Sequence, residues 1–316
     1  MTITTSYTKG VHEIGDGLFA YLQPDGGWGW SNAGLVVDGD QSLLVDTLFD
    51  LVLTSEMLDA LRRATPAAAA IDVLVNTHAN GDHCYGNQLV EGAHIVASKQ
   101  CAEEMSEVPA GVLAGLVAAA PTLGAAGEFL SAIFGGFDFA GIDVTTPDET
   151  FEGELELRVG DRVVRLLEVG PAHTRGDVVV HVPDAATVFT GDILFNGGHP
   201  IVWAGPVQNW VDACRRIAEL EPTTVVPGHG RVTDVGAVLR LQRYFEELTE
   251  HARRCFDAGL SPMDAAREAK LDVADGWSES ERLVVNITAL YRDFGGDPPS
   301  DIATVFGQMA ELAGYG

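Results

Sequence analysis

With 316 residues, 46% of them apolar and 8% aromatic, the chain can bury a sizeable core and is long enough for one large domain or two small ones. Its 46 Asp and Glu outnumber 19 Lys and Arg, and the resulting charge of −27 repels phosphate backbones and anionic bilayers, disfavouring nucleic-acid and membrane-surface partners. Four scattered cysteines, Cys84, Cys101, Cys214 and Cys255, contain no CxxC pair, which argues against a disulfide framework and fits a reducing cytoplasm.

The opening MTITTSYTKGVHEIGDG has no apolar core behind a basic start, and no apolar run reaches bilayer length, so a soluble, unexported protein is expected. GLFAYLQ (17–23), AGLVVDG (33–39) and QSLLVDT (41–47) carry β-rich apolar residues between Gly and Asp punctuation and read as strands, the last ending on Asp46. LVLTSEMLDALRRA (51–64) has apolar residues at helical spacing, with Thr54 or Ser55 as its cap, and IDVLVN (71–76) reads as a short buried strand. Strand, helix, strand in that order points to layers of sheet and helix.

From about residue 101 to 140 the composition turns to Ala, Gly and Leu, broken by Pro109, Pro121 and Gly135-Gly136, which predicts short helices inserted between sheet elements. They either pack plainly or form a lid or dimer surface near a site. Strands resume in GELELRVG (153–160), RVVRLLEVG (162–170), DVVVHVP (177–183) and ATVFTGD (186–192). VQNWVDACRRIAEL (207–220) reads as a helix, TTVVPGHG (223–230) as a strand running into a glycine loop, and residues 234–316 as mostly amphipathic helix broken at Pro262 and GGDPPS. No short-period repeat or strong linker divides the chain, so one domain over 1–316 is expected.

Four strand-like runs end in a polar loop: THANGDH with His78, Asp82 and His83, GPAHTRGD with His173, FTGDILF with Asp192, and VPGHG with His229. Imidazole and carboxylate hold zinc at about 2 Å, and a catalytic zinc keeps three protein ligands and a water. A lone histidine after a strand is ordinarily a surface or satisfied core residue. Four such loops in one chain point instead to a shared metal site at one edge of a folded sheet.

This set, HxNxDH followed by a His, an Asp and a His, resembles the metallo-β-lactamase superfamily of hydrolases over roughly residues 17–231. The resemblance implies a four-layered αββα sandwich with the metal site at one edge, between two sheets. It places His78 and His173 at a first metal site, Asp82, His83 and His229 at a second, and Asp192 between them. An Asp at position 192 is more similar to glyoxalase II and the lactonases than to antibiotic β-lactamases, which usually carry Cys or Ser there. The implied activity is zinc-dependent attack of metal-bound hydroxide on an ester, lactone or thioester, because bound zinc lowers the pKa of water from about 16 to about 7. Hydrolytic removal of an aryl halide belongs with it, since a chlorothalonil dehalogenase looks like a relative on the same fold. A different enzyme class, an iron-dependent persulfide dioxygenase, also resembles members of this superfamily, and a non-catalytic binding protein on the same fold is a third possibility.

Position 80 departs from the family pattern, which has a second histidine where this chain has Asn80. An amide oxygen is neutral and harder than an imidazole nitrogen and holds zinc more weakly. Three readings are open. Zinc sits on Asp82, His83 and His229 while the His78/His173 site is weak or empty, leaving Asn80 to bind substrate or a developing oxyanion. Alternatively both sites fill, or His78, His173 and Asp192 form a two-His-one-carboxylate iron site.

Trp28 and Trp30, in QPDGGWGWSN, either close over an apolar ligand or cap a sheet edge. Asn196, His199 and Trp203 follow Asp192 closely and are substrate-binding candidates, with His199 either replacing the missing imidazole or facing solvent. Arg175, two residues after His173, is the nearby cation for steering a carboxylate. Cys84 is a small buried residue or an extra soft ligand. No P-loop or basic cluster is present to hold phosphate, so the expected partner is an uncharged or aromatic small molecule, with a homodimer plausible through the apolar insertion.

Overall fold

Residues 6–107, 110–299 and 301–316 are described by the computed structural model; residues 1–5, Val108, Pro109 and Ser300 lie outside them. The first sheet follows chain order. Strands β1 (Gly10–Gly15), β2 (Leu18–Leu22), β3 (Ala33–Asp38) and β4 (Gln41–Val45) run antiparallel, and β5 (Val73–Val75), β6 (His94–Ser98) and β7 (Glu149–Phe151) then add in parallel. The tight β3–β4 turn needs Gly39, whose φ of 63° disfavours a side chain. The second sheet orders β8 (Glu154–Val159), β9 (Arg162–Glu168), β10 (Val178–Val182), β11 (Thr187–Phe189) and β13 (Thr224–Val226) as β13-β11-β10-β9-β8. Between them in the chain, β12 (Phe195–Asn196) pairs in parallel with β14 (His229–Gly230).

Strands β1, β6 and β7 are not predicted by the sequence reading. GVHEIG dilutes its apolar residues with Gly, His and Glu, and β7 has only three residues, too few for a period to register.

Helix α1 (Leu51–Ala64) buries Leu53, Thr54, Met57, Leu58 and Leu61 on one face. Its cap is Asp50, whose carboxylate accepts from Leu53 N at 2.7 Å, and not Thr54 or Ser55. Thr54 lies inside the helix with its hydroxyl turned to Leu48 N at 3.2 Å. One turn, α2 (Gly81–Cys84), follows β5, and α3 (Lys99–Met105), α4 (Ala110–Ala119) and α5 (Gly124–Phe134) fill the crossover from β6 to β7, as the composition of residues 101–140 predicts. Helix α6 (Val207–Glu219) joins the second sheet's last strands. The remainder forms α7 (Val235–Asp257), α8 (Pro262–Glu268), α9 (Leu283–Asp293) and α10 (Ile302–Leu312). Pro262 opens α8 behind a Ser261 cap instead of only breaking a helix.

Burial sorts these elements into four layers. Leu18, Val36, Leu43, Val178 and Val180 fill the space between the sheets. Leu35, Leu44 and Leu74 face Met57, Leu58 and Leu61 of α1 on the outside of the first sheet. Val179 and Val188 face Trp210, Leu241 and Phe245 on the outside of the second. Neighbouring valines of β10 thus belong to different layers, which explains its unbroken apolar run. Each fully buried Leu or Val contributes about 1.5–3 kcal/mol. The αββα arrangement expected from the resemblance is present. Among the described residues no single helix is long and apolar enough to cross a membrane.

The loops after β4, β5, β9, β11 and β13 leave both sheets at one edge and carry Asp46, His78 to His83, His173, Asp192 and His229.

Candidate metal centre

After β5 the chain turns through Thr77 and His78 into α2, whose single turn presents Asp82 and His83 inward. Gly81 permits that turn, because a Cβ there would fall 2.3 Å from the Tyr85 ring. Gly228 does the same for the last loop, since a Cβ would overlap Asp192 Oδ1. His78, His83, His173, Asp192 and His229 are each less than 6% exposed, so the cluster is desolvated.

Asp192 is the hub. Its Oδ1 lies 3.0 Å from His83 Nε2, and its Oδ2 lies 3.4 Å from His173 Nε2, 3.5 Å from His229 Nε2 and 3.8 Å from His78 Nε2. Asp82 Oδ2 adds a second carboxylate, 3.3 Å from His229 Nε2 and 4.0 Å from His83 Nε2. Two sets bring ligand atoms within 4.8 Å of one another: His78, His83 and Asp192, and Asp82, His83 and His229.

Every ring is oriented from behind through Nδ1. His83 uses Asp46 Oδ2 at 2.9 Å, His78 the Thr77 hydroxyl at 3.0 Å, His173 the Ile201 carbonyl at 2.7 Å, and His229 the Gly26 carbonyl at 3.1 Å. Thr77 donates its own hydroxyl proton to Asp46, so it accepts from His78 Nδ1–H. With Nδ1 donating, each Nε2 presents a lone pair to the cluster when the ring is neutral. Asp46, in a left-handed conformation at φ 64°, is thus an orienting residue that the sequence marks only as a strand end.

The residues present fit a divalent cation on two grounds. His78 Nε2, His83 Nε2 and Asp192 Oδ1 are buried without a hydrogen-bond partner, although His83 and Asp192 are 3.0 Å apart. Proximity without alignment is what two donors to a common third atom show. The charges agree. Burial alone would raise Asp192, yet the imidazoles of His229, His83 and His78 hold it well below the carboxylate range. Burial would lower His83 and His229, yet Asp192 and Asp82 hold His83 well above the usual value and push His229 up to about 9. His78 and His173 go the other way, lowered by burial. The corner bounded by Asp82, His83, His229 and Asp192 therefore calls for positive charge, which a metal dication supplies in place of protons.

Asn80 marks the opposite corner. Its Nδ2 lies 2.9 Å from His173 Nε2. Because His173 Nδ1 already donates to Ile201, Nε2 of the neutral ring is the acceptor and Asn80 the donor. His173 belongs to neither compact ligand set.

Above the cluster opens a cavity of about 330 Å³. Asn80, Asp82, His173, Asp192 and His229 line its floor, and Trp28, Phe49, Tyr85, Phe134 and Phe195 its inner wall. Val112, Leu113 and Leu116 of α4, Ile302 and Phe306 of α10, and Trp203 also line it. The insertion and the carboxy-terminal helices thus complete the pocket, contributions that no loop motif signals.

The other predicted substrate residues divide. Trp28 and Trp203 line the cavity, whereas Trp30 packs on Phe137 at 4.8 Å and does not. Asn196 spends its amide on the Arg231 carbonyl at 2.8 Å. His199 is neither solvent-facing nor on the cavity wall: it is buried against Tyr244 and Trp277, with Nδ1 3.1 Å from the Tyr244 hydroxyl, and burial lowers it to about 4. Arg175 is held by Glu107 at 2.6 Å and Glu104 at 3.1 Å, and the two glutamates, not the arginine, reach the cavity. Cys84 is buried with its thiol pushed up by burial and turned to the Ala79 carbonyl at 3.5 Å, so it stays outside both ligand sets. Among the described residues lining the cavity the single Arg or Lys is Arg282, which sits in a charged stretch, ESER, within the region that reads as amphipathic helix.

A family model described as the metallo-beta-lactamase superfamily matches residues 26–229. The chain is 37% identical over 82 residues to a hydroxyacylglutathione hydrolase of Cereibacter sphaeroides, covering 26% of this chain and 31% of that protein. It is 29% identical over 91 residues to the acyl-coenzyme A thioesterase MBLAC2 of Homo sapiens, covering 27% and 32%. These matches span about a third of each relative's length. The structure of the sec-alkylsulfatase Pisa1 from Pseudomonas sp. is similar in fold, with a TM-score of 0.69 at 17% identity over 90% of this chain and 50% of that one.

Proposed function

The chain belongs to the metallo-beta-lactamase superfamily, and on that premise we propose that it is a zinc-dependent hydrolase acting on an ester, lactone or thioester of an apolar or aromatic small molecule. The observation that carries this reading is a buried cluster in which His83 is shared by two compact ligand sets, with Asp82, Asp192 and His229 of those sets opening onto an apolar cavity. A thioesterase and an acylglutathione hydrolase among the relatives support the same bond class.

A bound zinc would supply an acidified water and polarise the scissile carbonyl. The chain's own residues do the rest. Asp82 faces the cavity and is placed to take the proton that attack releases. Asp46, Thr77, Ile201 and Gly26 hold four imidazoles in one tautomer, and Asn80 fixes His173 through its Nε2. The aromatic wall excludes bulk water and receives the apolar part of the substrate.

One tightly held zinc is expected, on the Asp82, His83, His229 side, with His78 and His173 forming the weaker position. The Asn80–His173 contact supports this order over an iron site built on His78, His173 and Asp192. The test is a panel of ester, lactone, thioester and haloaromatic substrates presented to zinc-loaded and metal-stripped protein. Hydrolysis that requires zinc and consumes no oxygen is expected. Turnover with oxygen uptake, or turnover indifferent to metal, overturns the reading.

A further inference from the structure

The family match ends at residue 229, yet the chain reaches back to the metal cluster from beyond it. Glu279, at φ 60°, starts a single 3-10 turn, Ser280–Arg282, that inserts beneath the Trp28 loop. Glu281 accepts from Trp28 Nε1 at 2.8 Å. Arg282 is 2% exposed, and its guanidinium carbon lies 4.2 Å from the Trp28 ring centroid and 5.1 Å from that of Phe195. Its Nη1 donates to the His199 carbonyl at 2.9 Å and pairs with Glu279 at 3.2 Å.

Both groups that Arg282 grips touch the surroundings of His229. Phe195 lies parallel to the His229 imidazole, with centroids 5.0 Å apart and planes 6° from coplanar. Trp28 is two residues from Gly26, whose carbonyl receives His229 Nδ1. The ring of His229 is therefore fixed on one face by Phe195 and at one edge by the Trp28 loop, and one guanidinium holds both supports.

We propose that Arg282 is a positioning residue for His229: clamped between Trp28 and Phe195, it sets the plane and tautomer of that imidazole and couples the carboxy-terminal helices to metal affinity. The inference rests on the reading of His229 as a metal ligand. The planar guanidinium is what the geometry uses, since stacking between rings is open to Arg and not to the compact ammonium of Lys. Its charge does not assist directly, because a cation near a metal site repels the metal. Removing that charge would on its own tighten zinc binding, so weaker binding in a neutral variant reports lost orientation.

The experiment measures zinc dissociation constants by chelator competition for full-length wild type, Arg282→Met, Arg282→Lys and Phe195→Leu, with melting of each metal-free protein alongside. Arg282→Met and Phe195→Leu are each expected to weaken zinc by about 10-fold or more, the range for residues that orient a ligand. The double variant is expected to lose less than the product of the two, because they act through one stack. Arg282→Lys, which keeps the charge, is expected to fall with them, and the ¹⁵N shifts of the His229 ring to show mixed tautomers. Arg253→Ala, which removes a cation 3.8 Å from the Phe294 ring elsewhere in the same region, is expected to leave zinc affinity unchanged. Folded Arg282→Met and Phe195→Leu that hold zinc as tightly as wild type overturn the inference alone. Wild type that takes up no zinc overturns the reading beneath it. Should Arg282→Met fail to fold, Phe195→Leu and Arg282→Lys decide.

Discussion

The two corners of the pocket floor are built from the same residue types and behave differently. On one side His83 and His229 turn their Nε2 atoms toward Asp82 and Asp192, whose negative charge raises both imidazoles above their usual value. On the other side His78 and His173 are held neutral by burial, and an amide proton of Asn80 occupies the lone pair that His173 would offer. Residue type alone does not make a metal ligand. The charges and hydrogen bonds around each ring decide as well.

If that contrast is right, its largest consequence is asymmetric loss. Asp82→Ala or His229→Ala should weaken zinc by on the order of 1,000-fold and abolish turnover, whereas His173→Ala should change affinity for the first zinc by less than about 10-fold. Metal content after dialysis against a mild chelator separates the two, and equal losses on both sides would end the comparison. Next in size is repair of the weak corner. Asn80→His frees His173 and restores a ligand, so the protein should rise from about one to about two tightly held zincs, a gain on the order of 100-fold, or about 2.7 kcal/mol, at the second position. A variant that still holds one would show that Asn80 is not the cause.

The smallest effect probes the carboxy-terminal support. His199 is buried beside Tyr244, and burial, aided by the charge of Arg282, lowers it to about 4. A group depressed in the folded state adds stability that is present above its unfolded value of 6.5 and lost as pH falls through about 4. Wild type should therefore lose about 2 kcal/mol between pH 7 and pH 5 from this group, and His199→Gln should lose that much less over the same interval. Urea unfolding at the two pH values measures the difference, and identical pH slopes would exclude His199 as its source.

Much of this is legible in the sequence. IDVLVN, RVVRLLEVG and ATVFTGD announce strands through β-branched runs, and each delivers its polar loop to the site edge. The failures share one cause. Trp30, Asn196, His199 and Arg175 stand close to ligands in sequence, but their side chains point to Phe137, the Arg231 carbonyl, Tyr244 and two glutamates. Closeness in sequence carries no direction once the backbone leaves a regular strand. Conversely Phe306, Ile302 and Arg282 reach the cavity from more than 50 residues beyond the last motif, with no local signal of it.

By itself, then, the sequence determined a layered sheet-and-helix class, which its resemblance to a known family narrowed to αββα, the order of the strand-end loops and the imidazole and carboxylate character of the site, because apolar periodicity and donor chemistry are local properties of the chain. Only the tertiary structure decided which lone pairs converge, that His173 answers to Asn80, and that Arg282 stands behind His229. Those depend on the directions of side chains brought together across hundreds of residues, and direction is set by packing.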